Sequence, residues 1–173
     1  NNENQSVIGE EHFGVLPVFT FKGETAMNQK YLKRIIASYV REKDVPYIFE
    51  RATDPEAVVK QFKYLETRDR EEFVTLHLDK GNRPICWDKV SVGTLSETLI
   101  SPREVFKTML LSNASAVILI HNHPSGRIEP SPEDRNITTK LLAAAKLLDI
   151  KVLDHLILGG DSTYFSFNEH GLI

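Results

Sequence analysis

The chain has 173 residues, enough for one domain, and its composition, 41% hydrophobic and 26% charged, is that of a globular protein. The net charge of −3 and the isoelectric point of about 6.1 provide no overall attraction to nucleic acid or to an anionic membrane. No apolar run approaches the roughly 20 residues that span a bilayer, no signal-peptide pattern opens the chain, and the single cysteine, Cys86, excludes an intrachain disulfide. Together these features predict a cytoplasmic protein that does not enter a membrane.

The first 50 residues predict a few short elements. VLPVFTF (15–21) is typical of an edge strand because it contains a proline. NQKYLKRIIASYVREK (28–43) has apolar side chains at helical spacing, and VPYIFER (45–51) predicts a strand. The basic residues of 28–43 could touch phosphates, although a solvated helix face is the commoner reason for such a pattern. Residues 1–50 are interpreted as an N-terminal extension.

Residues 51–173 predict a regular succession of helices and strands. The order from residue 54 onwards is α-β-β-α-β-α-β-β, which indicates a mixed α/β sandwich. Strands are predicted at EEFVTLHL (71–78), ICWDKVSVG (85–93), SAVILI (115–120), KVLDHLILG (151–159) and TYFSF (163–167), and helices after Asp54, from Pro102 and over 131–149. SAVILI is continuously apolar, so we expect a central strand that is covered on both faces.

The apolar strand leads directly into HNHPSGRIEPSPED (121–134). Residues i and i+2 of an extended chain point the same way, so His121 and His123 are expected on one side, just past the carboxyl end of the strand. Ser131 takes an N-cap position and Asp134 the third helical position, which predicts a capping box and a carboxylate that stays ionised beside the helix dipole. Two imidazoles and one carboxylate leave the fourth tetrahedral position of zinc for water, as in catalytic sites.

An isolated H-x-H pair has a plainer interpretation, a turn whose imidazoles bond backbone carbonyls. The full pattern, H-x-H-P, six residues, then S-x-x-D, resembles the signature of the JAMM (JAB/MPN) metalloproteases. SVGTLSETLISPREVFKTMLLSNASAVILIHNHPSG followed by LLDIKVLDHLILGG is similar to the bacterial RadC family, a branch of that group. The resemblance implies a mixed-sheet, cytidine-deaminase-like α-β-α sandwich over 51–173. It corresponds to a short form without the helix-hairpin-helix segment.

The resemblance also implies the roles of individual residues. His121, His123 and Asp134 would bind zinc, and Ser131 would donate a hydrogen bond to the oxyanion of the tetrahedral intermediate. Glu72 would be the general base, since the family places a glutamate at the start of an upstream strand. The expected activity is hydrolysis of a peptide or isopeptide bond in a protein or peptide substrate. The alternatives are a DNA-repair-associated protein that binds or processes nucleic acid, which the acidic isoelectric point opposes, and a non-catalytic binding module.

Several other residues are open to two interpretations. Glu104 also precedes an apolar segment, but its place in the first turn of a helix is explained by the helix dipole. His155 could support the metal ligands from behind, although a structural hydrogen-bonding role is commoner. Ser91 and Thr94 resemble family positions near the active face and could equally be hydrogen bonders at a strand end. The sequence leaves the oligomeric state open.

Overall fold

The computed structural model describes residues 38–39, 49–93 and 100–173. The predicted strand at 15–21 lies outside these residues, as does all of the predicted helix at 28–43 except two residues, which have no regular secondary structure. The predicted strand at 45–51 is described only from residue 49 onwards, and this part is wrong: it is a bend. It bends because the chain turns here towards the start of a helix at Asp54.

From residue 54 onwards the elements follow the predicted order. They are α1 (Pro55–Gln61), a 3-10 helix (Lys63–Thr67), β1 (Glu72–Leu78), β2 (Pro84–Val92), α2 (Pro102–Leu111), β3 (Ala116–Asn122), α3 (Pro132–Leu147), β4 (Lys151–Leu158) and β5 (Tyr164–Ser166). The strands form one sheet in the order β2-β1-β3-β4-β5. β3 and β4 are parallel, and the other neighbours are antiparallel. The fold is therefore the mixed α/β arrangement that the sequence predicts.

α1, α2 and α3 all begin in the same way. Asp54, Ser101 and Ser131 each cap a helix by accepting a backbone N–H from its first turn, and each is followed by a proline. Proline suits this position because its missing N–H would have no partner inside the helix and its fixed φ is already helical. None of the helices in the described ranges is long and apolar enough to cross a membrane.

The sheet is covered on both faces, so β3 is buried at every position. On one face, which we call the α1 face, α1 and the 3-10 helix pack on a cluster that includes Val74, Leu76, Leu78, Ile118 and Ile120. On the other, the α3 face, α2 and α3 pack on a cluster that includes Phe73, Val117 and Leu119. Side chains alternate along a strand. In β1 and β3, odd-numbered residues therefore face α3 and even-numbered residues face α1.

Candidate metal centre

The carboxyl end of β3 and the amino end of β1 meet at one edge of the sheet, beside the start of α3. His121 of β3 pairs with Phe73 of β1, and the N–H of His123 donates to the carbonyl of Leu158 at the end of β4, at 3.0 Å. The chain then turns at Gly126, whose φ of 76° favours glycine. β3 is longer than expected, so His121 lies within the strand. Both imidazoles still share the side that faces α3.

Three side chains converge at this edge. His121 Nε2 lies 3.1 Å from His123 Nε2 and 3.2 Å from Asp134 Oδ1, and His123 Nε2 lies 3.4 Å from Asp134 Oδ2. Zinc bonds of about 2.0–2.1 Å in a tetrahedron place neighbouring ligand atoms about 3.3 Å apart. The spacing matches that geometry, so His121, His123 and Asp134 could hold a metal ion.

The two carboxylate oxygens of Asp134 have different surroundings. Oδ2 accepts hydrogen bonds from the backbone N–H of Ser131 at 2.8 Å and from its hydroxyl at 2.7 Å. Oδ1 is buried and has no hydrogen-bond partner among the residues that the structure describes. Buried polar atoms are nearly always satisfied, and an orphaned one calls for an explanation. A cation held between this oxygen and the two imidazoles would satisfy it.

The pKa shifts of His121 and Asp134 favour the forms that bind a cation. Burial lowers the pKa of His121, which favours the neutral ring. Burial would raise the pKa of Asp134, but its contacts with His121 and His123 hold that pKa far below its ordinary value. The contact with Asp134 raises the pKa of His123, whose Nδ1 also donates to the carbonyl of Arg127 at 2.8 Å. A neutral His121 and an ionised Asp134 are in the forms that bind metals.

His155 stands directly behind His121, although its sequence context favoured a structural role. His155 Nε2 lies 2.9 Å from His121 Nδ1, and its Nδ1 lies 2.7 Å from the hydroxyl of Thr138. Burial lowers the pKa of His155 well below its ordinary value. The sequence could not reveal this contact because it depends on the parallel register of β4 against β3, in which His155 pairs with Leu119.

Comparison with known proteins agrees with this site. The RadC-like JAB domain family matches residues 52–172. The chain belongs to the RadC-like JAB domain family. The UPF0758 protein YeeS of Escherichia coli (strain K12) is 43% identical over 151 residues, covering 87% of this chain and 98% of YeeS. A UPF0758 protein of Rubrobacter xylanophilus is 50% identical over 105 residues, 61% of this chain but 45% of that protein. The chain thus spans less than half of some relatives, and the relatives' names state no activity.

In this RadC-like JAB domain Glu72 lies on the α1 face of the sheet, whereas the three side chains that could hold a metal ion lie on the α3 face. Its carboxylate is 2.7 Å from the ammonium of Lys89 and 3.5 Å from the guanidinium of Arg68. Lys89 pairs in register with Val74, which belongs to the α1 face. The structure therefore corrects the expectation that Glu72 reaches the metal centre. One residue of register moves a side chain to the other face of a sheet.

Glu71 has the opposite parity and lies on the side of Phe73 and the imidazoles. Its carbonyl accepts from the N–H of Gly93 at 2.8 Å, which continues the ladder between β1 and β2. Its charge acts on both rings: it opposes the lowering of the His121 pKa by burial, and it adds to the raising of the His123 pKa by Asp134. All seven residues of β1 are buried, so its sequence carries no alternation that could have separated Glu71 from Glu72.

Asn122, between the two histidines, fixes the backbone on both sides of Glu71. Its side-chain oxygen accepts from the N–H of Glu72 at 2.8 Å, and its side-chain nitrogen donates to the carbonyl of Arg70 at 3.0 Å. These two bonds cross from β3 to the start of β1. They hold Glu71 at a fixed place relative to the strand that bears the imidazoles. The sequence signal for this role is the even parity of Asn122, which points it away from the imidazoles.

Of the remaining candidate residues, some lie on the side of the candidate metal centre and others have an ordinary structural role. Ser131 lies beside the metal centre, where its hydroxyl donates to Asp134. Glu104 pairs with Lys107 at 2.8 Å on the surface of α2, as expected of a carboxylate in the first turn of a helix. Ser91 pairs with Phe73, which places it on the α3 face of the edge strand β2. Thr94 lies outside the described residues.

Proposed function

We propose that this protein is a zinc-dependent hydrolase that cleaves a peptide or isopeptide bond in a protein or peptide substrate. The observation that supports it most strongly is the buried Oδ1 of Asp134, which has no hydrogen-bond partner among the described residues and lies 3.2 Å from the Nε2 atom of His121. Two imidazoles and a carboxylate form a ligand set that suits zinc, and three protein ligands leave one position open. An open position distinguishes a catalytic ion from a structural one.

The chemistry divides between the ion and the chain. A bound zinc supplies a Lewis acid that brings the pKa of water towards about 7 and polarises a carbonyl. Glu71 lies on the same side of the sheet as the imidazoles, so its carboxylate takes the proton of the attacking water and passes it to the leaving nitrogen. Asn122 keeps Glu71 in place through the bonds to Arg70 and Glu72.

In this proposal the hydroxyl of Ser131 donates a hydrogen bond to the oxyanion that develops on the substrate. Its hydroxyl donates to Asp134 Oδ2 at 2.7 Å, while its own backbone N–H holds the same oxygen at 2.8 Å. The hydroxyl can therefore turn towards a developing oxyanion without releasing Asp134, because the N–H bond remains. Donors of this kind contribute a few kcal/mol to transition-state stabilisation.

Metal content and hydrolysis test the proposal separately. Protein purified without chelator should contain about one zinc per chain by elemental analysis. The zinc-loaded protein is then incubated with a library of mixed peptides and with isopeptide-linked conjugates, and cleaved bonds are identified by mass spectrometry. Glu71→Gln should keep zinc and lose hydrolysis by a factor of about 10² or more. Glu72→Gln is the matched control and should remain active.

Two results would contradict the proposal. Protein that neither contains nor takes up zinc would exclude the metal centre as drawn. Full activity of Glu71→Gln together with inactivity of Glu72→Gln would exclude the assignment of the base. A salt-dependent shift of labelled DNA, without cleavage of any peptide or conjugate, would favour the nucleic-acid alternative.

A further inference from the structure

Each metal-binding imidazole has a hydrogen-bond partner behind it, but the two partners differ in kind. Behind His123 it is the backbone carbonyl of Arg127, 2.8 Å from Nδ1. A carbonyl only accepts, so it requires a hydrogen on Nδ1 and leaves the lone pair of the neutral ring on Nε2. Behind His121 it is His155 Nε2, at 2.9 Å, a ring nitrogen that can donate or accept. The tautomer of His121 therefore depends on what lies behind His155.

Thr138 on α3 decides the direction of this chain of hydrogen bonds. Its hydroxyl contacts the backbone carbonyl of Asp134 and, at 2.7 Å, His155 Nδ1. The carbonyl only accepts and so takes the single hydroxyl hydrogen, which leaves the hydroxyl oxygen to accept from His155 Nδ1–H. With its hydrogen on Nδ1, His155 offers the Nε2 lone pair to His121 Nδ1–H. His121 Nε2 then keeps its lone pair for a cation held between it and Asp134 Oδ1.

We propose that His155 and Thr138 are positioning residues that hold His121 in its metal-binding tautomer, with the direction of the chain of hydrogen bonds set by the backbone carbonyl of Asp134. The proposal rests on metal binding by His121, which belongs to the proposed function, and is independent of hydrolysis. Asp134 thus serves the centre twice, through its carboxylate as a ligand and through its carbonyl at the end of the chain of hydrogen bonds.

The surroundings of His155 keep bulk water away from it and hold the plane of its ring. His155 is fully buried and Thr138 nearly so, which leaves both away from bulk water. The ring of His155 stacks on Phe167, with centroids 4.8 Å apart, and meets Phe73 edge-on at 5.6 Å. These contacts fix the plane of the ring, and in this orientation both ring nitrogens meet polar partners, so the direction of the hydrogen bonds depends on which nitrogen carries the hydrogen.

The reverse direction would block the metal centre. If the hydroxyl of Thr138 donated to His155, then His155 Nε2–H would donate to His121 Nδ1. The hydrogen of His121 would then sit on Nε2, the atom that lies 3.1 Å from His123 Nε2 and 3.2 Å from Asp134 Oδ1. Without the hydroxyl of Thr138, nothing holds the hydrogen of His155 on Nδ1. His155 can then either accept from His121 or donate to it, and both tautomers of His121 become accessible. Outer partners of this kind typically change metal affinity by about 10–100-fold.

The experiment measures tautomers in metal-free protein and zinc affinity in the same set of variants. Long-range ¹H–¹⁵N correlation spectra of protein labelled at histidine should show the hydrogen on Nδ1 of both His121 and His155. Thr138→Val should shift His121 towards the Nε2–H form and weaken zinc binding, measured by competition with a chelator, by about 10–100-fold. Thr138→Ser, which keeps the hydroxyl, should behave as the wild type.

Thr139→Val is the matched control. The hydroxyl of Thr139 makes the same type of bond on the same helix, to the carbonyl of Arg135 at 2.9 Å, but Thr139 is exposed. This variant should leave both tautomers and the zinc affinity unchanged.

A hydrogen on Nε2 of His121 in the wild type would overturn the proposal, whatever the variants do and even if Thr138→Val fails to fold. Wild-type zinc affinity in folded Thr138→Val would overturn it too. If the tautomers and affinities are as expected and no bond is hydrolysed, the failure belongs to the proposed function alone.

Discussion

Two buried histidine clusters lie at opposite ends of the α3 face of the sheet. One is the metal centre around His121. The other, which we call the His77 cluster, consists of His77, Thr75, Cys86 and Ser112. In the register of β1 against β3, Phe73 pairs with His121 whereas His77 pairs with Val117, so the clusters are separated along the strands. Both bury an imidazole among hydroxyl groups.

The difference lies in how the lone pairs are used. His77 Nδ1 lies 2.8 Å from the hydroxyl of Ser112, which itself donates to the carbonyl of Met109, and Nε2 lies 2.9 Å from the hydroxyl of Thr75. Both ring nitrogens are therefore engaged, and burial raises the pKa of the neighbouring Cys86 thiol, which keeps it protonated. The two clusters differ in that the ligand atoms of His121, His123 and Asp134 converge on one point, whereas both nitrogens of His77 are taken up by neighbouring side chains.

The largest effect should come from Asp134→Asn. This change removes the charge of the orphaned Oδ1 while keeping the shape of the side chain, so zinc affinity should fall by more than the ~100-fold that loss of an outer partner costs. His77→Gln, in the His77 cluster, is the control and should bind zinc as the wild type does. Chelator competition measures both. Equal zinc affinity of Asp134→Asn and wild type would remove the basis of the comparison.

The pH dependence of stability should report the His77 cluster. Burial lowers the pKa of His77 from 6.5 to about 4, against the opposing charge of Asp88. Between these two pH values, His77 is protonated in the unfolded chain but neutral in the folded protein. This contribution to stability is complete above about pH 6.5 and is lost as the pH falls towards 4, by up to about 1.4 kcal/mol per pH unit.

Denaturant unfolding of the metal-free protein between pH 7 and pH 4 measures this dependence. His77→Gln should flatten it only in part, because burial also lowers the pKa of His121 and His155. A dependence that is as steep in His77→Gln as in the wild type would show that His77 does not contribute.

Two serine substitutions, one in each cluster, should both lower stability, but only the one beside Asp134 should change the zinc affinity. Ser112→Ala removes the hydroxyl partner of the buried His77 Nδ1, which leaves it only the weaker contact with Cys86 Sγ at 3.3 Å, and should cost about 1–3 kcal/mol of unfolding free energy, with no change in zinc affinity. Ser131→Ala removes an N-cap and should cost about 1 kcal/mol, but it also removes one of the two hydrogen bonds to Asp134 Oδ2, leaving that of the backbone N–H, and should weaken zinc binding about 10-fold. Uniform effects of the two changes on zinc affinity would contradict the separation of the clusters.

The smallest effect on the fold should follow metal removal. Each face of the sheet has its own apolar cluster, and the metal centre lies at the edge of the sheet. A chelator should therefore abolish hydrolysis and leave the circular dichroism spectrum nearly unchanged, since a catalytic ion is less structural than that of a zinc finger. Collapse of the spectrum would make the ion structural.

Much of the fold could be predicted because its signals are local. The three helix starts were visible as capping residues followed by proline, and the burial of β3 as a continuous apolar run. The order of helices and strands after Asp54 followed from these signals. The strand predicted at 45–51 is wrong at its described end, residues 49–51. This segment lies just before the helix cap at Asp54, where the chain bends towards the helix.

The sequence by itself determined which residue types meet: the H-x-H pair at the end of a buried strand and, through the capping box, the orientation of Asp134. Both depend on spacing within one element. The tertiary structure decided which of Glu71 and Glu72 faces the imidazoles, and that His155 and Thr138 stand behind His121. These facts depend on the register of β1 and β4 against β3, and each side-chain face reverses with a shift of one residue. A fully buried strand carries no polar alternation from which that register could be read.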